Sequence, residues 1–207
     1  GVSSSVNSRI VLSILFMTGF SSMAMEVVWV RAFTPVLLTS IYSFAGILAV
    51  YLLATWVGAQ VYYSHAGTSK ALKTSSLMMF AAYFCFLPLL LNDSRMLSGI
   101  HNAAAKVMLV LSSIFPFCAA LGYMTPKLID ELSLGEPKTV GKAYAVNALG
   151  CILGPLFAGY VLLPALGVRL SLVVLAVPFT AYLVYFYSEE IWKQRSVRAK
   201  GVGFSFV

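Results

Sequence analysis

The sequence predicts an all-α polytopic membrane protein, with six transmembrane helices arranged as two groups of three. Composition is the first reason: 60 per cent of the 207 residues are hydrophobic, 10 per cent are charged and the mean hydropathy is +0.89. An ordinary soluble domain has about a quarter of its residues charged. Length is the second reason, because several apolar runs reach the roughly 20 residues that a helix needs to cross a bilayer core about 30 Å thick. The third is pattern. The runs are apolar on every side, whereas barrel strands alternate in polarity over about ten residues and a soluble core helix keeps a polar face.

Residues 1–8 form a polar N-terminal segment. The first helix is expected at about 9–30; its apolar run is too long for a signal-peptide core and ends without a clear cleavage site, so it reads as retained. A short connection at 31–35 leads to the second helix, about 36–63, long enough to cross with tilt. A polar stretch with Lys70 and Lys73 precedes a shorter third helix at about 76–91. Asp93, Arg95 and His101 mark the connection to the fourth, about 103–124. The longest polar stretch, 125–141, holds Pro126, Gly135 and Pro137 with Asp130, Glu131 and Glu136. It is expected to break the helix. The fifth helix is placed at about 142–163, a turn at 164–167, and the sixth at about 168–187. A basic tail, 189–207, is too short to bury a core and reads as an anchor to anionic lipid.

The net charge of +7 comes from 14 Lys and Arg against 7 acids. The basic residues lie between and after the apolar runs, the pattern that encodes membrane orientation, so no nucleic-acid partner is expected. In the six-span arrangement ten of them (Arg9, Lys70, Lys73, Lys127, Lys138, Lys142, Lys193, Arg195, Arg198, Lys200) share a side with both termini, against Arg31, Arg95, Lys106 and Arg169 opposite. That bias places both termini in the cytoplasm, and the lack of acceptor-rich loops and of a cleavable signal points to a bacterial-type inner (plasma) membrane.

Glu26 is the one acid inside an expected span. A carboxylate at membrane depth costs roughly 2.5–3.5 kcal/mol on insertion scales, so it needs a reason. Either it lies near the interface marked by Trp29 and Arg31 and is satisfied by Arg31 or a neighbouring helix, or it faces a water-filled cavity and serves a ligand. Tyr144 and Asn147, early in the fifth helix, suit interhelical hydrogen bonding or a substrate path. Gly150, Gly154, Ala158 and Gly159 make a small-residue face that lets another backbone approach, as do Ala45, Gly46, Ala49, Ala54 and Gly58 on the second helix. Pro116, Pro155 and Pro178 are expected to kink their helices. Cys85, Cys118 and Cys151 have no CxxC or Cys/His spacing and read as small buried hydrophobes. His65 and His101 fall on opposite sides of the membrane, so no metal, haem or other cofactor is expected. No P-loop, no GxGxxG after a strand and no convergent Ser, His and Asp set is present.

Two segments, GFSSMAMEVVWVR at 19–31 and VGKAYAVNALGCILGPLFAGYVLLPALG at 140–167, together resemble the membrane region of the spermidine-synthase-like membrane proteins. The first motif is carried by Glu26, Val27, Val28, Trp29 and Arg31. The second, the more specific, is carried by Gly141, Tyr144, Ala145, Asn147, Gly150, Gly154, Gly159, Pro164 and Gly167. In that family the multi-helix region precedes a cytosolic aminopropyltransferase-type domain that holds the nucleotide-binding loop and the catalytic acids. The sequence contains none of that domain, so the resemblance implies no aminopropyl transfer by this chain alone. Some members of the wider family resemble major-facilitator transporters, half of which is six helices in two inverted groups of three. Direct self-similarity here is confined to a Phe-rich, small-residue end in the first and fourth helices.

Three functions remain open on these observations. One is a non-catalytic membrane subunit or anchor that packs against other membrane proteins. The second is a small transporter or half-transporter for a cationic amine, within a homodimeric bundle in which Glu26 offsets substrate charge. The third is the membrane part of an aminopropyltransferase-type enzyme whose catalytic domain is on another chain.

Overall fold

A computed structural model describes the backbone of residues 8–37, 40–68, 71–91 and 97–202, with side chains described for 8–36, 41–68, 71–91 and 97–189. The described residues are helical, with no strand among them. The helices are α1 (Ser8–Leu37), α2 (Ser40–His65), α3 (Thr74–Phe84), α4 (Leu87–Leu91), α5 (Ala103–Ser133), α6 (Pro137–Phe157) and α7 (Leu163–Val202), with a π-helical turn, Ala158–Leu162, between the last two. Five segments are long and apolar enough to cross a membrane: Ser8–Val36, Ile41–His65, Thr74–Leu91, Ala103–Ser133 and Pro137–Glu189. The last is 53 residues long and its backbone leaves helical geometry at Gly167 (φ 68°, ψ −177°). Gly167 is the expected turn, reduced to one residue.

Helix ends depart from expectation mainly at prolines. Residues 31–35, expected as a connection, continue α1 through Pro35. Phe33 is buried and Thr34 donates its hydroxyl to the Val30 carbonyl at 2.6 Å, so the last turn is held by packing and by a bond that Pro35 does not disturb. The break expected from Pro126 is likewise absent: α5 runs on to Ser133 because Met124, Lys127, Leu128 and Ile129 are all buried against the bundle. One missing N–H costs less than unpacking that face. Termination comes later, at Leu134 (φ 47°) and Gly135 (φ 87°), and Pro137 opens α6 at its first turn, where a missing N–H is harmless. The third expected helix is divided at Cys85 and Phe86, before Pro88. Asn102 caps α5 by accepting from the Ala104 and Ala105 amides at 2.9 and 3.4 Å. The polar segment 1–7, Lys70, Asp93, Arg95 and the side chains of the basic tail from 190 onward lie outside the described residues; the backbone of α7 is helical to Val202.

The two expected groups of three are not side by side. α1 packs most extensively on α6, α2 on α5, and α3 on α7 as well as α5, so each principal pairing joins one group to the other. The packing has an internal twofold correspondence. Exchanging α1 with α5, α2 with α6 and α3 with α7 turns the α1–α6 pairing into α5–α2, α1–α7 into α5–α3 and α1–α2 into α5–α6, all of which are present. The correspondence extends to single residues. A Cβ on Gly150 would strike the Phe16 carbonyl and the Phe20 amide; a Cβ on Gly58 would strike the Ala119 carbonyl and the Tyr123 amide. A Cβ on Gly19 would meet the Asn147 carbonyl, and one on Gly122 the Thr55 carbonyl. One register, in which Gly19 matches Gly122 and Gly58 matches Gly150, accounts for every one of these contacts. In it the buried residues Ile14, Leu15, Thr18, Ser21 and Met25 of α1 fall on the buried residues Phe117, Cys118, Leu121, Met124 and Leu128 of α5. Contacts advance in the same chain direction on both partners, so α1–α6 and α2–α5 are parallel pairs brought together by missing side chains.

Candidate functional site: a polar groove on the twofold axis

A groove of about 390 Å³ lies where α1, α2, α5 and α6 meet. It is lined by Thr18, Gly19 and Ser22 from α1; Tyr51, Leu52, Thr55, Trp56 and Ala59 from α2; Leu121, Gly122 and Thr125 from α5; and Asn147 and Cys151 from α6. These positions exchange under the internal twofold: Gly19 with Gly122, Ser22 with Thr125, Thr55 with Asn147, Ala59 with Cys151. The groove therefore sits on the axis. Its rim residues Leu52 and Trp56 are more than half exposed, so it opens to the outer surface of the bundle beside α2.

The lining is polar. Thr18 donates to the Leu15 carbonyl at 3.0 Å, Ser22 to Gly19 at 3.1 Å, Thr55 to Tyr51 at 2.9 Å and Thr125 to Leu121 at 3.0 Å. Each hydroxyl hydrogen is thus committed to the helix that carries it, and what remains for the groove is oxygen lone pairs. No Lys, Arg, Asp or Glu lines the groove. The groove is polar without full charge: its hydroxyls offer lone pairs, and Tyr51, Trp56 and Asn147 add donors.

Of the residues expected to matter, Asn147 enters the groove, with its Nδ2 3.9 Å from Cys151 Sγ. Gly150 and Gly154 bring α6 onto α1 at the groove floor. Gly159 does not belong with them: it is exposed in the π-helical turn and a Cβ there would meet nothing within 4 Å. Tyr144 is 55 per cent exposed and does not line the groove. Cys151 is half-buried in the groove wall, unlike the buried Cys85 and Cys118.

Glu26 lies inside the bundle. It is 5 per cent exposed, no salt bridge joins it to the exposed Arg31, and its Oε2 has no hydrogen-bond partner. Nor does it line the groove in this conformation. α1 extends seven residues past Val30, and Trp29 lies inside the bundle. Trp29 is fully buried, edge-on to Phe117, which is edge-on to Phe179 of α7.

A second polar cluster lies at the ends of α2 and α5. Tyr62 donates to Asp130 Oδ2 at 2.8 Å, the Tyr123 hydroxyl accepts from the Leu72 amide at 3.0 Å and meets His65 Nδ1 at 3.4 Å, and Lys127 bonds Thr74 at 3.0 Å and pairs with Glu131. Lys127, expected in a solvated connection, is buried. Among the described residues no group of three or more His, Cys, Asp or Glu is placed to hold a metal ion.

Fold and groove together define a helical protein with membrane-spanning apolar helices. Comparison with protein-family models, curated proteins and solved structures gave no match to this chain.

Proposed function

We propose that the chain is one half of a solute carrier: a six-crossing unit, both termini cytoplasmic, whose axial groove forms one wall of a path for a small cationic amine. The groove carries the reading. Polar atoms at mid-height in an apolar bundle are costly to leave against hydrocarbon, and clefts at a repeat interface near the midplane are where secondary transporters bind substrates. Six crossings follow from dividing the 53-residue segment at Gly167, since 53 residues of helix would be about 80 Å long. Opposite directions for the two groups then follow from three crossings each. The excess of Lys and Arg on the side of the termini supports the orientation.

Acceptor oxygens without a competing positive charge favour a solute that donates several hydrogen bonds, as an ammonium group does. The opening beside α2 is completed, in this reading, by a second six-helix unit, which unites the subunit and half-transporter functions. The small-residue faces do not supply that contact. Gly58, Gly122, Gly150 and Gly154 are consumed within the chain. The proposal assigns the chain no catalysis of its own.

Cys151 provides the test. In proteoliposomes, a charged, membrane-impermeant methanethiosulfonate reagent is expected to modify Cys151 and to leave the buried Cys85 and Cys118 unmodified, with Cys151→Ser abolishing the signal. In a water-filled path the thiol ionises to the thiolate that attacks the reagent and displaces its sulfinate; in hydrocarbon it does not. No labelling from either side of the membrane would overturn the carrier reading.

A further inference from the structure

The twofold correspondence shows buried positions at which the two groups of helices differ in charge. Lys127 of α5, paired with Glu131, falls on Ala24. Glu26 of α1, with no such pair among the described residues, falls on Ile129. On α1, Thr18, Ser22, Glu26 and Trp29 follow one another at helical spacing along a single face. Thr18 and Ser22 line the groove; Glu26 lies one turn beyond, beneath Trp29. The counterpart of Glu26 on α5 is Ile129, 2 per cent exposed. The fold thus fills the equivalent place with a hydrocarbon side chain, so packing does not demand a carboxyl at Glu26.

Among the described residues no cation forms an ion pair with that carboxyl. Tyr51 of α2 and Cys118 of α5 are the titratable groups in electrostatic reach, with Cys151 of α6 beyond Tyr51; α7 contributes Phe179 behind Phe117. A carboxylate sealed at this depth without a counter-charge is not a stable species. A metal cation would need several further oxygen ligands, and among the described residues no acidic or histidine cluster supplies them. A proton needs none.

We infer that Glu26 is a proton-binding site at the sealed end of the polar stripe, exchanging its proton with water that reaches it from the groove past Ser22 and Tyr51. The proton adds to a carboxylate oxygen and leaves as hydronium, with no other bond made or broken. The purpose of such a site rests on the carrier reading above, where a neutral carboxyl keeps the closed bundle uncharged and its loss of a proton balances an entering cation. Its detection does not rest on that reading.

Infrared spectroscopy of the full chain in lipid nanodiscs tests it. The expected result is a protonated-carboxyl carbonyl band at neutral pH that is missing in Glu26→Gln, moves on transfer to D2O within minutes, and disappears on alkaline titration of the folded protein. Should the glutamine variant not fold, Glu26→Asp retains the carboxyl and displaces the band, which assigns it equally well. Absence of the band at neutral pH, or a band that neither moves in D2O over hours nor titrates, overturns the proposal. Cys151 labelling reads the groove and the infrared band reads Glu26, so the two failures are separable.

Discussion

Tyr62 and Asp130 show what a single polar contact contributes in this bundle. The phenol is buried and donates across from α2 to a carboxylate that is itself exposed. Tyr62→Phe strands no buried charge, so its cost is that of one interhelical bond, about 0.6 kcal/mol and at most about 1.7. Unfolding in bicelles, followed by steric trapping, should report a loss in that range. Lys127→Met should cost as little or less, because Glu131 is 51 per cent exposed and keeps its water when the ammonium goes. Much at this scale was legible beforehand. Glu26 and Asn147 stood out as polar side chains in apolar runs, and both prove to be near the axis. The groove hydroxyls Thr18, Ser22, Thr55 and Thr125 did not stand out, because a hydroxyl in an apolar run is unremarkable until another helix is known to face it. Lys127 was misplaced for a related reason: adjacent Pro126 read as the end of a helix that packing in fact prolongs.

At the scale of the element, the two crossings α1–α6 and α2–α5 stand or fall on glycine. Gly150→Val and Gly58→Val each drive a side chain into a backbone carbonyl that cannot rotate away. Each should destabilise by about 1–3 kcal/mol or more and lower the yield of folded protein to a similar degree. Gly159→Ala, with open space around it, should be neutral or slightly stabilising, on the order of 0.5 kcal/mol. Thermal denaturation of the three purified variants in one detergent decides the matter. A loss at Gly150 without one at Gly58 would show that the two crossings are not energetic equivalents. Helix centres were readable from hydropathy alone. Their ends were not, because a proline removes one local hydrogen bond whereas the continuation of α1 through Pro35 and of α5 through Pro126 is decided by the neighbours those turns bury.

For the molecule as a whole, the principal pairings all join a helix of the set α1–α3 to a helix of the set α5–α7. Neither group of three can bury its main interface alone. Expressed separately, 1–96 and 97–207 should fail to accumulate as folded protein, and co-expressed they should be recovered as one complex with a thermal transition of its own. Independent folding of either piece would refute the interleaved packing. This level was only half legible: six apolar runs could be read from hydropathy, but the polar stretch 125–141 falls between the fourth and fifth of them and not between the groups, and the partners of each helix could not be read, since matching glycines lie about a hundred residues apart and only their shared contacts reveal the register. One further consequence attaches to the number three. A segment that crosses a bilayer an odd number of times begins and ends on opposite sides, so a tandem copy of it enters the membrane upside down of necessity. The exchange of Gly19 for Gly122 and Gly58 for Gly150 is therefore what a single gene duplication would leave behind. Glu26 opposite Ile129 would then be a later divergence, the point at which two once-identical halves acquired separate duties.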